Sequence, residues 1–432
     1  MKLVRPAAML IAAMVVHGGQ SPAQPTRSAP QTPAADSLHL SRRQAIAEAL
    51  QHNGQIEIAG EQTAEARARR VTGIAVPDPS LSAAFDQEAG PFGFGGAGSR
   101  PVSLGVAVPF PTKFRLNGKI GTAGIRASES NYRFQQQSVV LRASAAYDSL
   151  LVALMRRVNA REARTLAADF LQRTQSRFTA GTVARLDVIQ AQLGLAQADN
   201  DLIANDGTVA LAQASLTRVL GRESEAPIAP TDSLDMPALL PDSTSIVQLA
   251  LVNRPELAVV QNQQQGAHAT TQLTKAFWHP DLTLAVQRDY AAPGSPLFTT
   301  GIAMPVPFFY WQHAKGDIAQ AQHFERELAA TYRDTRAEVA RDVRSAYATA
   351  STAMRQVAFL RDQLVPAARE AYRVASTSYG LGGSSALEVL TARSALLQAQ
   401  NQLADALAAA NTARADLDRA LGINVPLGAS NR

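Results

Sequence analysis

Few residues in this sequence could do chemistry, and their spacing does not suit it. There is no cysteine, which removes thiolate metal sites, cysteine nucleophiles, disulfides and a lipid-modified N-terminal Cys. The seven histidines, His17, His39, His52, His268, His279, His313 and His323, form no H-E-x-x-H pair, so surface or packing roles are expected and no metal set. No G-x-S-x-G occurs, and no nucleophile–base pair can be assembled. Residues 93–98 (GFGGAG) match G-x-G-x-x-G. That motif binds a dinucleotide only when a helix follows at once and points its N-terminus at the pyrophosphate. A strand pattern follows here, so a hairpin loop is expected. The chain reads as a non-enzyme with no cofactor.

Two acids differ in kind, because they recur. Residues 177–221 (RFTAGTVARLDVIQAQLG…) and 378–422 (SYGLGGSSALEVLTARSA…) align without a gap, each position 201 residues from its partner. Asp187 faces Glu388 in this register. Gly181/Gly382, Leu186/Leu387, Val188/Val389, Gln197/Gln398, Asn200/Asn401 and Leu220/Leu421 also pair, and Phe178 pairs with Tyr379. Each copy is an aromatic-and-glycine turn, a long Ala/Gln/Leu helix and a Leu-Gly stop. A repeat spaced this widely is a duplicated half-protein, not a solenoid unit. An acid in the first turn of a helix gains about 0.3–1 kcal/mol from the helix dipole. The other role is a ring of carboxylates at the end of an oligomeric helical tube. The residues alone leave both open.

The elements that must position these acids are long. Residues 37–71 and 243–277 carry apolar residues at helical spacing, with Asn53 and Asn253 as matching joints between a short and a longer helix. Pro77-Asp78-Pro79 and His279-Pro280-Asp281 end those helices. Two hairpins are expected next, 81–88 with 102–108 and 282–290 with 297–304, closed by Pro109/Pro111 and Pro305/Pro307. No proline lies between Pro111 and Pro227. Residues 119–177 therefore read as one helix of roughly 88 Å at 1.5 Å per residue, with coiled-coil packing. Tyr147, Leu151, Leu154 and Val158 form one seam; Leu403, Leu407, Ala410, Leu417 and Leu421 form another. Pro366 is expected to kink or break the matching helix of the second half.

The chain has 432 residues, 46% hydrophobic but only 6% aromatic, with a net charge of +5. That composition suits long helices packed through small residues. There is no Lys/Arg block, so nucleic acid is not an expected partner. Lys2 and Arg5, an apolar run at 6–16 and Ser21-Pro22-Ala23 read as a signal peptide over residues 1–23, followed by a flexible leader over 24–36. No later run is long and apolar enough for a transmembrane helix. The two structural repeats are set at 37–228 and 243–424.

With those features assembled, the chain resembles the TolC-like outer-membrane efflux proteins over nearly its whole mature length. The doubled aromatic-x-x-Gly turn, the Leu-(Asp/Glu)-Val-(Ile/Leu) start and the Leu-Gly stop carry the likeness. Val108-Pro109-Phe110 and Met304-Pro305-Val306-Pro307 look like the cation-efflux (CzcC-like) branch. The resemblance implies a mainly α fold with a membrane β-portion. Four strands per chain would contribute to a 12-stranded barrel, and duplicated helical hairpins would build a trimeric α-barrel. It implies a homotrimer in outer-membrane lipid with a periplasmic extension, meeting a periplasmic adaptor and an inner-membrane pump as the exit duct of a tripartite efflux pump. The alternatives are the exit duct of a type I secretion system and a periplasmic structural or adaptor coiled-coil protein. It further implies a gate of Arg185, Asp187, Tyr379 and Glu388, and adaptor-docking tips at Phe178, Gly181, Gly382 and Ser384.

Overall fold

The structure, a computed structural model, describes residues 38–83, 101–223, 226–237, 240–241, 245–289, 298–306, 308–309, 311–312 and 314–423. The signal peptide and leader expected at residues 1–36, the glycine motif at 93–98 and His313 lie outside them.

The duplication in sequence is a duplication in space. The first half runs β1 (Leu38–Leu40), α1 (Arg42–His52), α2 (Gly54–Gly73), β2 (Ser80–Ala83), β3 (Pro101–Val108), α3 (Pro111–Thr179) and α4 (Arg185–Leu220). After β4 (Ile228–Pro230) the order repeats as α5 (Ile246–Asn253), α6 (Pro255–Lys275), β5 (Leu282–Asp289), β6 (Thr299–Ala303), α7 (Ala314–Phe359), α8 (Val365–Leu381) and α9 (Ala386–Leu421).

The expected long helix is longer still. It begins at Pro111, since proline at a first helical position lacks only an N–H that has no helical partner anyway. Its 69 residues span roughly 104 Å at 1.5 Å per residue. An 18-residue window of α3 reaches a mean hydropathy of 1.4, half of it buried. Tyr147, Leu150 and Leu151 from α3 lie in the core with Leu216 and Leu220. The seam ends sooner than expected, because Val158 is 59% exposed. The interruption expected at Pro366 is present in the second half's helix as a local change of helix type. A single π-turn at Leu360–Leu364 comes first, and the proline then occupies the opening turn of α8, where its missing N–H is tolerated.

The four longer strands form one antiparallel sheet in the order β2-β3-β5-β6, and β3 against β5 joins the two halves. Strand ends differ from expectation by a few residues, and positions 84–88, 290 and 297 lie outside the described residues. Leu81 pairs with Leu104, which pairs with Val286; Val106 pairs with Leu284, which pairs with Ile302. Side chains alternate across a strand, so these residues share a face with Val102, Val108 and Leu282, and with Arg288 at its far end opposite Val102. The other face carries Ser80, Ser82, Ser103, Gly105, Ala107, Thr283, Ala285 and Gly301. Leu81 and Ile302 are 73% and 74% exposed. An apolar face left this bare is an interaction surface. Below the sheet the helices keep its order, with α2 against α3, α3 against α6 and α6 against α7.

The register of 201 holds beyond the long-helix repeat, and this corrects one expected joint. Asn53 caps α2, its side chain accepting from the Gln55 amide and donating to the Val219 carbonyl at 3.0 Å. Asn253 is not its counterpart; it is the last residue of α5. Arg254 stands there instead, its buried guanidinium donating to the Arg419 carbonyl at 3.4 Å. Both joints thus hold a carbonyl in the last turn of a long helix. Burial pulls the Arg254 pKa down, and Glu256 at 3.2 Å opposes it.

The connection between the halves is tied down, which the sequence pattern did not reveal. β4 pairs in parallel with β1. The Tyr147 hydroxyl lies 2.9 Å from the Leu40 carbonyl and 3.1 Å from the Asp232 carboxylate, two acceptors that share its one proton, and burial pushes its pKa up to about 12. The next residue, Asp148, is buried against Arg42, and one of its oxygens has no hydrogen-bond partner. Burial pushes this carboxyl up to about 6, while Arg42 pulls it down. A folded value above the unfolded one of about 3.9 means that the native state holds the proton more tightly. The group's stabilising contribution is therefore full below about pH 4 and is lost as pH rises through about 6. Asp148→Asn is expected to flatten the fall in denaturant midpoint between pH 4 and 7. Identical pH slopes for the two proteins would contradict this.

Candidate functional site

Two helix-to-helix turns, 180–184 and 382–385, lie at the end of the bundle away from the sheet. Their glycines are required by geometry. Gly181 has φ +72° and Gly382 φ +84°, a left-handed conformation that L side chains adopt only with strain. Each closes the same C-cap: Gly181 N donates to Phe178 O at 2.9 Å and Thr182 N to Arg177 O at 2.9 Å. In the second copy Gly382 N donates to Tyr379 O at 3.1 Å and Gly383 N to Ser378 O at 2.8 Å.

The acids are held by the helix starts that follow. Asp187 accepts from the Ala184 amide at 3.3 Å. Glu388 accepts from the Ser385 amide at 3.4 Å, while the Ser385 hydroxyl accepts from the Glu388 amide. This capping geometry satisfies N–H groups that the helix leaves open. Asp187 is half-buried and Glu388 exposed. Arg185 is exposed too. Among the described residues, no hydrogen bond or ion pair links any two of Arg185, Asp187, Tyr379 and Glu388 within one chain.

Tyr379 departs from the expected gate in its placement. Its side chain is 4% exposed, packed with Phe170, Ala191, Ala386 and Val389. The ring lies 5.1 Å from Phe170, and its hydroxyl donates to Thr174 at 3.3 Å. The hydroxyl is thus engaged inside the chain. Of the tip residues, Phe178 is 43% exposed, Gly181 and Gly382 are exposed, and Ser384 is half-buried.

Sequence reasoning missed Arg177. Its guanidinium donates to the Tyr379 carbonyl and stacks 4.8 Å over the Tyr379 ring, tying the end of α3 to the end of α8. The signal was present: Arg177 opens the first repeat where Ser378 opens the second. Nearby, Arg393 donates to the Gly194 carbonyl at 3.1 Å. A Cβ at Gly194 would lie 2.9 Å from Leu390, so that glycine lets α9 close on α4.

Comparison with known proteins fits this arrangement. The profile of the family described as Outer membrane efflux protein matches residues 37–222 and 246–423. The chain belongs to that family. It is therefore an outer-membrane protein with a periplasmic helical extension, and not an enzyme. It is similar to the cobalt-zinc-cadmium resistance protein CzcC of Cupriavidus metallidurans, 25% identical over 71% of this chain and 74% of that one. It is also similar to the alkaline protease secretion protein AprF of Pseudomonas aeruginosa, 28% identical over 66% of this chain and 62% of that one. Among solved structures, the outer-membrane channel OprN shares its fold, with a TM-score of 0.75 at 20% identity over 92% of this chain and 98% of that one.

Proposed function

We propose that three copies of this efflux-family protein close into one continuous duct, a β-barrel through the outer membrane leading into a helical tunnel, and that this duct is the passive exit of a tripartite efflux pump. The two-faced sheet carries the reading. Four strands with open edges cannot remain in hydrocarbon, where unpaired N–H and C=O groups find no water. Three chains supply twelve strands, within the range of bacterial barrels, with the leucine and valine face toward lipid and the serine, glycine and alanine face toward the lumen. Phe110, Trp278, Phe308, Phe309 and Trp311 are exposed just below the strands, where an aromatic belt would meet the membrane interface.

The helical end supports a ring as well. Leu186, Ile189, Leu193, Ile203 and Leu211 form a bare apolar stripe on α4, and Val374 and Leu381 are bare on α8. α4 packs chiefly on α3 and α8 on α9, with α3 against α9 between the two pairs. One chain's α4 would cover the next chain's α8, which is the head-to-tail contact that closes rings. An inner-membrane pump and a periplasmic adaptor would deliver cargo to the tips. Detergent-extracted protein should have the mass of a trimer; a stable monomer in lipid would overturn the reading.

The six turns of a trimer would then encircle one axis, with Asp187 and Glu388 near the opening and Arg185 reaching a neighbouring hairpin. Tyr379 would hold the tip in shape from behind. Carboxylates around a narrow aperture attract cations and slow anions. In a planar bilayer, Asp187→Ala with Glu388→Ala is expected to raise single-channel conductance or lower cation selectivity, and Arg185→Ala to favour opening. Wild-type values in both variants would leave the acids as helix caps only.

A further inference from the structure

We propose that the upper helical part of the duct holds a binding site for multivalent oxyanions, carboxylate or phosphate in kind, which acts as a waypoint for anionic cargo that has passed the acidic tips. The proposal rests on the duct reading above and extends it to the cargo class. A cleft of about 840 Å³ opens between α2, α3, α6 and α7, just below the sheet. This is the size of a small-molecule site. Arg115, Lys119 and Arg126 line it from one face of α3, at helical spacing, and Arg70 reaches it from α2. Glutamine amides and His268 from α6 form the opposite wall.

The charge balance is one-sided. Among the described residues the only carboxylate in the lining is Glu325, and it is already engaged, accepting from His268 Nδ1 at 2.7 Å. Among the described residues none of the four cations forms an ion pair, and the Arg70 Nε is buried with no hydrogen-bond partner. Arg70 is also built in. A Cβ on Gly121 would lie 2.7 Å from the Arg70 Cγ and 2.9 Å from its Cβ, so the bare glycine seats the arginine stem against α3. Elsewhere on the chain most arginines near a carboxylate pair with it, as Arg156 with Asp405 and Arg164 with Asp199 do. Four convergent unpaired cations are a forked, hydrogen-bonding surface for carboxylate or phosphate. Bare divalent cations would meet four like charges there.

The cleft's side of the wall follows from its lining. With four adjacent helices of a single layer lining one cleft, the cleft is assigned to the layer's concave side. When such layers close into a tube, the concave side is the lumen. Three copies would then place twelve cations in one ring of the passage, and focusing by low-dielectric walls would raise the local anion concentration.

The test uses the full-length protein in detergent and in planar bilayers, with citrate and inorganic pyrophosphate as probes. Calorimetry is expected to show binding of both, weakened about tenfold or more by Lys119→Gln with Arg126→Gln, a loss of about 1.4 kcal/mol or more. Arg126→Lys should retain most of it. Citrate should block single-channel current in wild type and much less in the double variant. The chain has no cysteine, so Arg126→Cys can be modified alone. An anionic, membrane-impermeant thiol reagent should then reduce conductance if the site faces the lumen. Citrate binding equal in wild type and double variant would overturn the site. Binding that is lost in the variant, together with a thiol reaction that leaves conductance unchanged, would overturn its place in the lumen and assign it to lipid headgroups instead. A wild-type protein that binds citrate but forms no channel would overturn the duct while the calorimetric result stands.

Discussion

Gly221→Val and Gly422→Val are each expected to remove the assembled protein from the outer membrane. Both glycines have φ +71°, where a β-branched residue carries roughly 1–2 kcal/mol of strain. A second effect adds to this. A Cβ at Gly221 would lie 2.4 Å from the His52 carbonyl oxygen, and one at Gly422 2.8 Å from the Asn253 carbonyl. These are backbone atoms in the last turns of α1 and α5, and they cannot rotate aside as a side-chain tip can. Relief requires moving a helix end that the Asn53 and Arg254 joints hold to the same place. Overpacking of that kind costs about 1–3 kcal/mol or more. The sum is a large part of the stability of a typical domain. Immunoblots of outer-membrane fractions should show little trimer, and urea midpoints of any residue that assembles should fall steeply. Wild-type amounts with a wild-type midpoint would show that the joints give way easily.

Much of this architecture was legible because the chain is duplicated. Helix length, turn glycines and the order of elements all follow from local pattern, and the offset of 201 let each half check the other. The same offset would have identified Arg254 as the partner of Asn53. The likeness of Asn53 to Asn253 is misleading, because register and not residue identity marks the equivalent joint. β1 and β4 were invisible for another reason. Each has three residues, too few for an alternating pattern, and their pairing depends on Tyr147 and Asp232 far apart in sequence. The candidate site was legible in position but not in side-chain direction. Nothing in the aromatic-x-x-Gly turn distinguishes Phe178, which is exposed, from Tyr379, which is buried against Phe170. Arg177 clamps the turn at Tyr379, and its repeat equivalent Ser378 has no guanidinium to do the same at Phe178. The cationic cleft was the least legible of all. Its members come from four helices, and Gly121 has no role until Arg70 lies over it.

Gly181→Val with Gly382→Val is expected to abolish efflux while leaving the assembled trimer in place. The backbone demand is the same as at Gly221 and Gly422, with φ +72° and +84°, so the strain is again roughly 1–2 kcal/mol per site. The surroundings differ. A Cβ at Gly181 meets nothing within 4 Å, and one at Gly382 meets only the tip of Arg177 at 3.8 Å. Strain without a clash can be relieved locally, by opening the C-cap bonds from Thr182 to Arg177 and from Gly383 to Ser378. The core beside the turns, built on Phe170, Val389 and Tyr379, holds the helices together meanwhile. The damage is thus confined to the shape of the surface that an adaptor would grip. Complementation of a duct-deficient strain should fail for the double variant, at a trimer level matching wild type on the same immunoblot. Gly181→Asn with Gly382→Asn should keep partial efflux, because asparagine tolerates the left-handed conformation better than valine. Normal efflux in the valine variant would show that these turns do not dock the adaptor.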